Sequence, residues 1–376
     1  MKEKKYMNLQ KHKRIIISGG GTGGHVFPAI SIANALRKID REIEILFVGA
    51  EGKMEMENVP AAGYRIIGLP VAGIDRKNIF RNFSVLIKLA SSLHLAKKTL
   101  REFNPDAVVG VGGYASGPVL KQAERMGIPV LIQEQNSTSG VTNKLLAGKA
   151  SVICVAYDGM EKYFPAGKIV KTGNPVRHNF DKIRELRGEA IRFFNLKNEI
   201  PVVLILGGSL GAGRINNLLS GNIERMKNSG CQWLWQTGKN YYEKIKDTVN
   251  ESSANNIHLY PFIEKIELAF SAADIIVSRA GAGTISELCL VGKPVILIPS
   301  PNVAEDHQTR NAMALAEKDA AVLIHDDKIE ELLLDEVINL VSDTPKKKKL
   351  SENISKMAEH DSDIRIAREV LNLIKR

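Results

Sequence analysis

Several features that commonly reveal a protein's chemistry or location are absent from this sequence of 376 residues. There are only three cysteines, Cys154, Cys231 and Cys289, which lie far apart among apolar neighbours and in no metal-binding spacing. They indicate reduced packing residues of a cytoplasmic protein rather than a disulfide framework. No apolar run approaches the roughly 18 residues of a membrane-spanning helix, and the basic N-terminus is followed only by the short apolar run Ile15–Ile17, which ends at once in glycine. We therefore expect neither a signal peptide nor a membrane anchor.

Two common nucleotide-binding motifs and one metal motif also lack support. Gly19-x-Gly21-x-x-Gly24 matches the dinucleotide fingerprint, but the next predicted strand ends at Gly49-Ala50, where a ribose-binding acid would be expected. No Gly-Lys-Ser/Thr follows, which excludes a Walker loop. Asp361-Ser362-Asp363 matches a metal-binding DxD motif. Capping and the helix dipole alone favour acids at a helix start, so we predict no metal site there.

Charge is unevenly distributed along the chain. Residues 1–176 contain 25 Lys and Arg against 14 Asp and Glu, and so carry the whole of the net charge of +10. Such asymmetry suggests an anionic partner, either a membrane or nucleic acid. Cations and apolar side chains mix between Gly73 and Arg101, as at an anionic membrane surface, although a core helix with a basic outer face is the alternative. No interleaved aromatic platform supports nucleic-acid binding.

Strand-like and helix-like segments alternate throughout, which predicts an α/β fold with parallel sheets. Three segments recur in the same order: Ile15–Gly24 is echoed by Val202–Ala212, Asp106–Gly113 by Asp274–Gly281, and Gly127–Ile132 by Gly292–Ile298. The repeat predicts two Rossmann-like domains, residues 1–176 and 177–360, facing each other across a ligand-binding cleft. Residues 361–376 are expected to form a C-terminal helix that could pack back on the first domain. The basic segment Thr344–Lys349 is predicted to be a solvated loop.

The stretch Ile15–Pro28 combines an apolar strand, a glycine loop and a helix start. Glycines allow a ligand to approach the backbone, while the free N–H groups and the helix dipole attract negative charge. His25 lies at the mouth of this loop, at the carboxyl end of a strand, where open α/β sheets bind ligands. It is therefore a candidate catalytic residue, with a structural role as the alternative.

Eight sequence blocks together resemble the MurG family, the GlcNAc transferases that complete the lipid-linked disaccharide-pentapeptide of bacterial cell walls. They extend over nearly the whole chain and comprise Gly20–Pro28, Gly112–Pro118, Glu134–Asn136, Thr172–Arg177, Gly207–Ala212, Gln236–Gly238, Arg279–Glu287 and His307–Ala312. Many members have His-Glu-Gln-Asn where this chain has Gln133–Asn136. Any role of that first histidine is therefore unavailable here.

The resemblance implies a GT-B fold, UDP-GlcNAc as donor and lipid I (undecaprenyl-diphospho-MurNAc-pentapeptide) as acceptor. It implies an inverting transfer that forms a β-1,4 bond, without an obligatory metal or other cofactor, at the cytoplasmic face of the cell membrane. The first domain would bind the acceptor and the membrane, and the second would bind the donor. Alternatives are another GT-B glycosyltransferase with a glycolipid or small natural product as acceptor, or a UDP-GlcNAc 2-epimerase. The basic apolar segment argues against the epimerase, which needs no lipid surface.

The resemblance also implies site residues. His25 is the first candidate for the general base and Glu134 the second, with an orienting or structural role as the alternative for Glu134. The expected contacts of UDP-GlcNAc are Thr22, Gly23, Gly24, Asn136, Arg177, Ser209, Ile263, Ala282, Gly283, Thr284, Glu287, His307 and Gln308. The expected contacts of the acceptor diphosphate are Gly20, Gly21, Gly112, Gly113 and Tyr114, together with the same Thr22–Gly24 segment.

Three of these residues also have ordinary structural explanations. Ser209 could cap a helix, and Arg177 could form a salt bridge at the hinge. Glu287 could be a first-turn acid that interacts with the helix dipole.

Overall fold

The computed structural model describes residues 12–71, 81–176, 180, 183–208, 210–303 and 306–375. The chain divides into two compact units. The N-terminal unit comprises Met1–Arg177 with Asp361–Arg376, and the C-terminal unit comprises His178–His360. Each unit contains one parallel sheet covered by helices, which confirms the predicted α/β class.

The N-terminal unit is built on a seven-stranded sheet of order β3-β2-β1-β4-β5-β6-β7. Its strands are β1 (Arg14–Ser18), β2 (Glu44–Ala50), β3 (Arg65–Leu69), β4 (Ala107–Gly110), β5 (Val130–Glu134), β6 (Val152–Val155) and β7 (Ile169–Lys171). Its first five helices are α1 (Gly23–Ile39), α2 (Glu55–Ala61), α3 (Arg81–Phe103), α4 (Ser116–Arg125) and α5 (Val141–Leu146). The strands are apolar on both faces because helices cover both.

The C-terminal unit repeats this plan with a six-stranded sheet of order β10-β9-β8-β11-β12-β13. Its strands are β8 (Val202–Leu206), β9 (Gln232–Gln236), β10 (Ile257–Tyr260), β11 (Ile275–Ser278), β12 (Val295–Leu297) and β13 (Val322–Leu323). Its helices are α6 (Arg187–Phe193), α7 (Gly213–Ser220), α8 (Ile223–Lys227), α9 (Tyr242–Glu251), α10 (Ile266–Ala272), α11 (Ala282–Val291), α12 (His307–Ala316), α13 (Ile329–Ser342) and α14 (Thr344–Ser355).

In both sheets the strand order reverses beside the first strand of the unit, between β1 and β4 and between β8 and β11. Loops that leave the carboxyl ends of two such strands run to opposite faces of the sheet and leave room for a ligand. The predicted glycine loops follow these four strands. The topology therefore places them where open α/β sheets bind ligands.

The basic segment Thr344–Lys349 is helical, so the loop predicted there is wrong. The Asp343 carboxylate accepts a hydrogen bond from the Lys346 N–H at 2.9 Å, and Pro345 lies in the first turn. A capped N-terminus with proline in the first turn favours a helix, and burial of Leu350 anchors it. The lysines therefore belong to a helix, α14, whose apolar side faces the core.

The last helix, α15 (Ser362–Ile374), belongs to the N-terminal unit. Ile366, Ala367 and Val370 are fully buried in the same apolar cluster as the inner side of α1. All three cysteines are buried as free thiols, and burial raises the pKa of Cys154 and Cys289 to about 12. Within the described ranges we find no helix with both the length and the apolar character needed to cross a bilayer.

Candidate functional site

The first glycine loop connects β1 to α1. Thr22 is the N-cap of α1 but makes no side-chain capping bond, and its carbonyl accepts hydrogen bonds from the N–H groups of His25 and Val26, each at 3.1 Å. The N–H groups of Gly23 and Gly24 precede these bonds at the helix start, where donors point out of the helix. This loop therefore offers backbone donors and the positive end of a helix dipole to an anion.

His25 is half-buried in the first turn of α1. Its Nδ1 lies 3.3 Å from the Thr22 hydroxyl, and a Cβ placed on Gly112 would lie 2.9 Å from its Nε2. The imidazole thus packs against the loop after β4. The structure brings together His25 and both predicted glycine loops of this unit.

Gly112 and Gly113 follow β4 and both have positive φ, 94° and 86°. The Gly112 carbonyl accepts a hydrogen bond from the Gly20 N–H at 3.3 Å, and a Cβ on Gly113 would lie 2.2 Å from the Gly20 carbonyl oxygen. No side chain fits between the two loops. Tyr114, the next residue, is 62% exposed.

Gly21, like Gly20, is a predicted anion contact whose N–H is already engaged within the protein. It donates to both carboxylate oxygens of Glu55, each at 3.0 Å. Glu55 is 1% exposed and had no predicted role. The sequence carries no signal for this contact, since Glu55 resembles any acid at the start of a helix.

Glu134 ends β5 and is 2% exposed. Its carboxylate accepts four hydrogen bonds: from the N–H of Asn136 at 3.1 Å, its Nδ2 at 3.3 Å, the Gly140 N–H at 3.0 Å and Asn143 Nδ2 at 2.9 Å. Burial raises the pKa of Glu134 although these bonds oppose the shift. Glu134 thus organises the loop that carries Asn136.

In the C-terminal unit, α11 begins directly after the glycine loop that follows β11. Its N-cap is Gly281, which has no side chain to occupy the first-turn donors, and the first helical bond runs from Ile285 N–H to Gly281 carbonyl at 2.9 Å. The N–H groups of Ala282, Gly283 and Thr284 precede it. A Cβ on Gly283 would meet no atom within 4 Å. This end of α11 is therefore open to an anion.

The loop before α11 is fixed by Arg279. Its Nη1 donates to the carbonyls of Ile298 and Pro299, at 3.2 and 3.1 Å, and to Asp326 at 2.5 Å. Asp326 is itself 7% exposed. These bonds tie the start of α11 to the segment that follows β12.

Glu287 is not a first-turn acid, so that alternative explanation is wrong. It is the sixth residue of α11, whose first turn contains no acidic residue, and the dipole effect falls off within that turn. Glu287 is half-buried and lies one turn beyond Gly283, on the same face of the helix. It is placed to contact a ligand whose anionic group sits at the helix start.

Two further residues predicted to contact UDP-GlcNAc, Ile263 and Gln308, already form hydrogen bonds within the protein. The Ile263 N–H donates to Gln236 Oε1 at 2.9 Å, so a base contact by Ile263 would use its carbonyl oxygen. The Ser300 N–H donates to Gln308 Oε1 at 2.9 Å, which leaves the Gln308 amide group to donate to a sugar. His307 is half-buried and begins α12. Gln236, which had no assigned role, thus fixes the predicted base-binding loop.

The C-terminal unit collects its predicted residues at one edge. Ile263 follows β10, the Ala282–Glu287 segment follows β11, and Gln308 bonds to the segment after β12. Because the strands are parallel, these loops share the carboxyl edge of the sheet. Arg177 and Ser209 lie outside the described residues. Thr22–Gly24 and Asn136 belong to the N-terminal unit.

The segment predicted to contact a membrane, Gly73–Arg101, is described only from Arg81 onward, where it forms nearly all of α3. Leu86, Ile87 and Leu89 are exposed by 63, 58 and 44% respectively. Further along the same helix, Ala96 and Leu100 are buried in the core. The buried residues agree with the core-helix explanation for the later part of α3, and the membrane explanation stays a prediction for the exposed apolar residues.

Comparisons with known proteins agree with this architecture. The chain matches the glycosyltransferase family 28 N-terminal domain over residues 15–155 and the family 28 C-terminal domain over residues 202–365. A Bacteroides thetaiotaomicron relative is 56% identical, covering 97% of this chain and 99% of its own length. A Phocaeicola vulgatus relative is 57% identical, covering 97% of each. Both are named UDP-N-acetylglucosamine–N-acetylmuramyl-(pentapeptide) pyrophosphoryl-undecaprenol N-acetylglucosamine transferase.

A solved structure is also similar over nearly the whole length. The crystal structure of Acinetobacter baumannii MurG matches with a TM-score of 0.79 and 26% identity, over 96% of this chain and 99% of that one. This match confirms the predicted GT-B fold.

Proposed function

The chain belongs to the MurG family within glycosyltransferase family 28, and we propose that it transfers GlcNAc from UDP-GlcNAc to the 4-hydroxyl of MurNAc in lipid I. The product is lipid II, the precursor of peptidoglycan. One observation carries this proposal: relatives 56–57% identical over 97% of the chain are named for this transfer. It favours lipid I over other glycolipid acceptors and transfer over epimerisation.

The C-terminal unit binds the donor in this proposal. The N–H groups of Ala282, Gly283 and Thr284 contact the UDP diphosphate, and Glu287 accepts hydrogen bonds from the ribose hydroxyls. The open space at Gly283 and the position of Glu287 one turn further along α11 support this arrangement. As the bond to GlcNAc breaks, negative charge grows on the diphosphate, and donors fixed before the reaction stabilise it.

The other contacts of UDP-GlcNAc hold its uracil and its sugar. Ile263 contacts uracil through its carbonyl, while Gln308 and His307 contact the GlcNAc hydroxyls. Hydrogen bonds from Ile263 to Gln236 and from Ser300 to Gln308 support this, because they fix both loops before the donor binds. Arg177 and Ser209 stay in the proposal on the strength of the sequence resemblance alone.

The N-terminal unit binds the acceptor. Gly21 N–H is engaged by Glu55, so the lipid diphosphate is bound instead by the Thr22–Gly24 amides and the Gly112–Gly113 loop. Tyr114, exposed beside that loop, contacts the same ligand. Asn136 reaches the donor sugar from the loop that Glu134 organises.

His25 acts as the general base in an inverting displacement. The acceptor 4-hydroxyl attacks the anomeric carbon from the face opposite UDP and gives its proton to the imidazole. If Nδ1–H donates to Thr22 Oγ1, 3.3 Å away, the lone pair is held on Nε2, the nitrogen beside Gly112. Glu134 is a positioning residue, because its carboxylate is buried and fully hydrogen-bonded.

The exposed apolar residues of α3 contact the cytoplasmic face of the cell membrane. Leu86, Ile87 and Leu89 supply apolar area, and Lys88 lies among them in an N-terminal half rich in cations. Each cation near an anionic bilayer contributes about 1 kcal/mol. We expect cosedimentation with anionic vesicles to exceed that with neutral ones, and Leu86→Gln to reduce it.

A matched control is Leu332→Gln, which changes another exposed leucine, in the C-terminal unit. Equal binding of the wild-type protein to both vesicle types would refute the electrostatic part of this proposal. Equal effects of the two substitutions would refute the role of α3.

The transfer itself is tested with radiolabelled UDP-GlcNAc and a lipid I analogue in the presence of EDTA. We expect label in the lipid product, with β-1,4 linkage. Label recovered only as free sugar, or conversion of the donor to its 2-epimer, would overturn the proposal.

A further inference from the structure

Glu55 is a buried acid for which the transfer reaction described above has no use. It begins α2, directly after the turn that leaves β2, and is 1% exposed. Its Oε1 accepts hydrogen bonds from the Ala50 N–H at 2.9 Å and the Gly21 N–H at 3.0 Å, and its Oε2 accepts from Gly21 at 3.0 Å. This carboxylate therefore joins β2 to the glycine loop that follows β1.

The surrounding glycines leave room for the Glu55 side chain and for nothing larger. A Cβ on Gly20 would lie 2.0 Å from Glu55 Oε1, and a Cβ on Gly49 would lie 2.6 Å from Glu55 Cγ. On its other side Gly20 contacts the loop after β4, because the Gly20 N–H donates a hydrogen bond to the Gly112 carbonyl. The first glycine loop is thus clamped between a buried carboxylate and a second glycine loop.

We propose that Glu55 is a positioning residue for the acceptor site, a role that rests on the function proposed above. By holding Gly20 and Gly21 it fixes the path of the chain into Thr22, the N-cap of α1 and the neighbour of His25. Its carboxylate also occupies the Gly21 N–H, which could otherwise bind the diphosphate. The anion is thereby directed to the first turn of α1, next to the imidazole.

Glu55→Gln tests this with almost no change in shape. The Gly21 N–H lies 3.0 Å from both carboxylate oxygens, so a carboxamide in either orientation turns its NH2 group toward a backbone donor. The hydrogen bonds lost are of the charge-assisted kind. We expect kcat/KM for the lipid I analogue to fall at least tenfold, while KM for UDP-GlcNAc and Kd for UDP stay within about threefold.

Glu57→Gln is the matched control, since Glu57 lies on the same helix but is exposed. It should behave like the wild-type protein. A general loss of folded protein would lower kcat and the number of UDP sites per chain but leave KM and Kd unchanged. A fall in kcat/KM for the lipid I analogue at full UDP stoichiometry therefore separates positioning from an effect on folding.

Three results would overturn the inference: Glu55→Gln within threefold of the wild-type protein, equal losses for donor and acceptor, or the same loss in Glu57→Gln. If Glu55→Gln does not fold, the acceptor and donor parameters are compared in Glu55→Asp instead. This substitution keeps the negative charge but shortens the side chain. Equal donor and acceptor losses there would likewise overturn it. Absence of transfer by the wild-type protein is a different outcome, because it would refute the proposed function itself.

Discussion

Replacing Gly283 by alanine should stabilise the free protein and weaken donor binding at the same time. Gly283 is the second residue of α11, and an added Cβ would meet no atom within 4 Å. An alanine there fits the folded chain and reduces the freedom of the unfolded one. The same methyl group would occupy the space in front of the first-turn amides, where we place the UDP diphosphate.

The two effects can be estimated separately. A Gly→Ala change at a compatible position stabilises by about 0.4–1 kcal/mol, and 1 kcal/mol raises Tm by roughly 2–4 °C in a domain of 150–250 residues. Displacing the diphosphate from one backbone donor removes a hydrogen bond to a charged group, which is worth about 1.5–3 kcal/mol. At about 1.4 kcal/mol for each factor of ten, Kd for UDP should rise roughly 10- to 100-fold.

The assay pairs thermal unfolding without ligand with calorimetric titration by UDP. Gly188→Ala is the control, because Gly188 is also the second residue of a helix, α6, and its nearest contact for an added Cβ is ordinary, at 3.8 Å. Both variants should gain stability, and only Gly283→Ala should lose affinity. A Gly283→Ala protein that binds UDP within threefold of the wild type would refute the placement of the diphosphate. A fall in its Tm would refute the packing argument.

Three other substitutions test separate parts of the site. His25→Ala, measured at saturating donor, should lower the transfer rate roughly 10²- to 10⁴-fold; a rate within threefold of the wild type would remove His25 from the base role. Glu287→Gln should weaken UDP binding but leave the binding of a UDP analogue without ribose hydroxyls unchanged, and equal losses for both would contradict the ribose contact. Burial raises the pKa of Glu134 above its usual value of about 4.5. The carboxyl group of Glu134 therefore binds its proton more tightly in the folded state than in the unfolded state. Its contribution to the free energy of unfolding is greatest below pH 4.5 and declines as pH rises through the raised pKa. The difference in unfolding free energy between the wild type and Glu134→Gln should decline across that window, and a flat or rising difference would contradict this.

The positions of the glycine loops could be predicted because each loop directly follows a strand that is recognisable in the sequence, and the order of the strands determines which loops are neighbours. Ile15–Ile17 form a buried strand and the following glycines end it. The expectation that Pro28 lies in the first helical turn is wrong, because α1 begins at Gly23 and Pro28 is its sixth residue. Once the strand order is that of an open α/β sheet, the ends of β1 and β4 must lie side by side. The repeat of this plan in the second half made the fold class predictable as well.

The partners of individual polar groups could not be predicted, because they depend on long-range contacts. Ile263 and Gln236 are 27 positions apart, yet the N–H of one donates to the side chain of the other. Arg279 and Asp326 are 47 positions apart and form a salt bridge at 2.5 Å. Such pairs have no local pattern, and only the packed sheet brings them together.

Glu55 and Glu134 show why an acid beside a glycine loop or a strand end is easily taken for a reacting group. Both carboxylates are buried and accept hydrogen bonds from backbone N–H groups, and Glu134 accepts four hydrogen bonds in total. To take a proton from a substrate, either acid would have to leave such bonds, each worth about 1.5–3 kcal/mol when the acceptor is charged. His25 is only half-buried, with Nδ1 3.3 Å from the Thr22 hydroxyl and Nε2 beside Gly112. The same burial that removes the two acids from the chemistry makes them effective at holding the loops where the chemistry occurs.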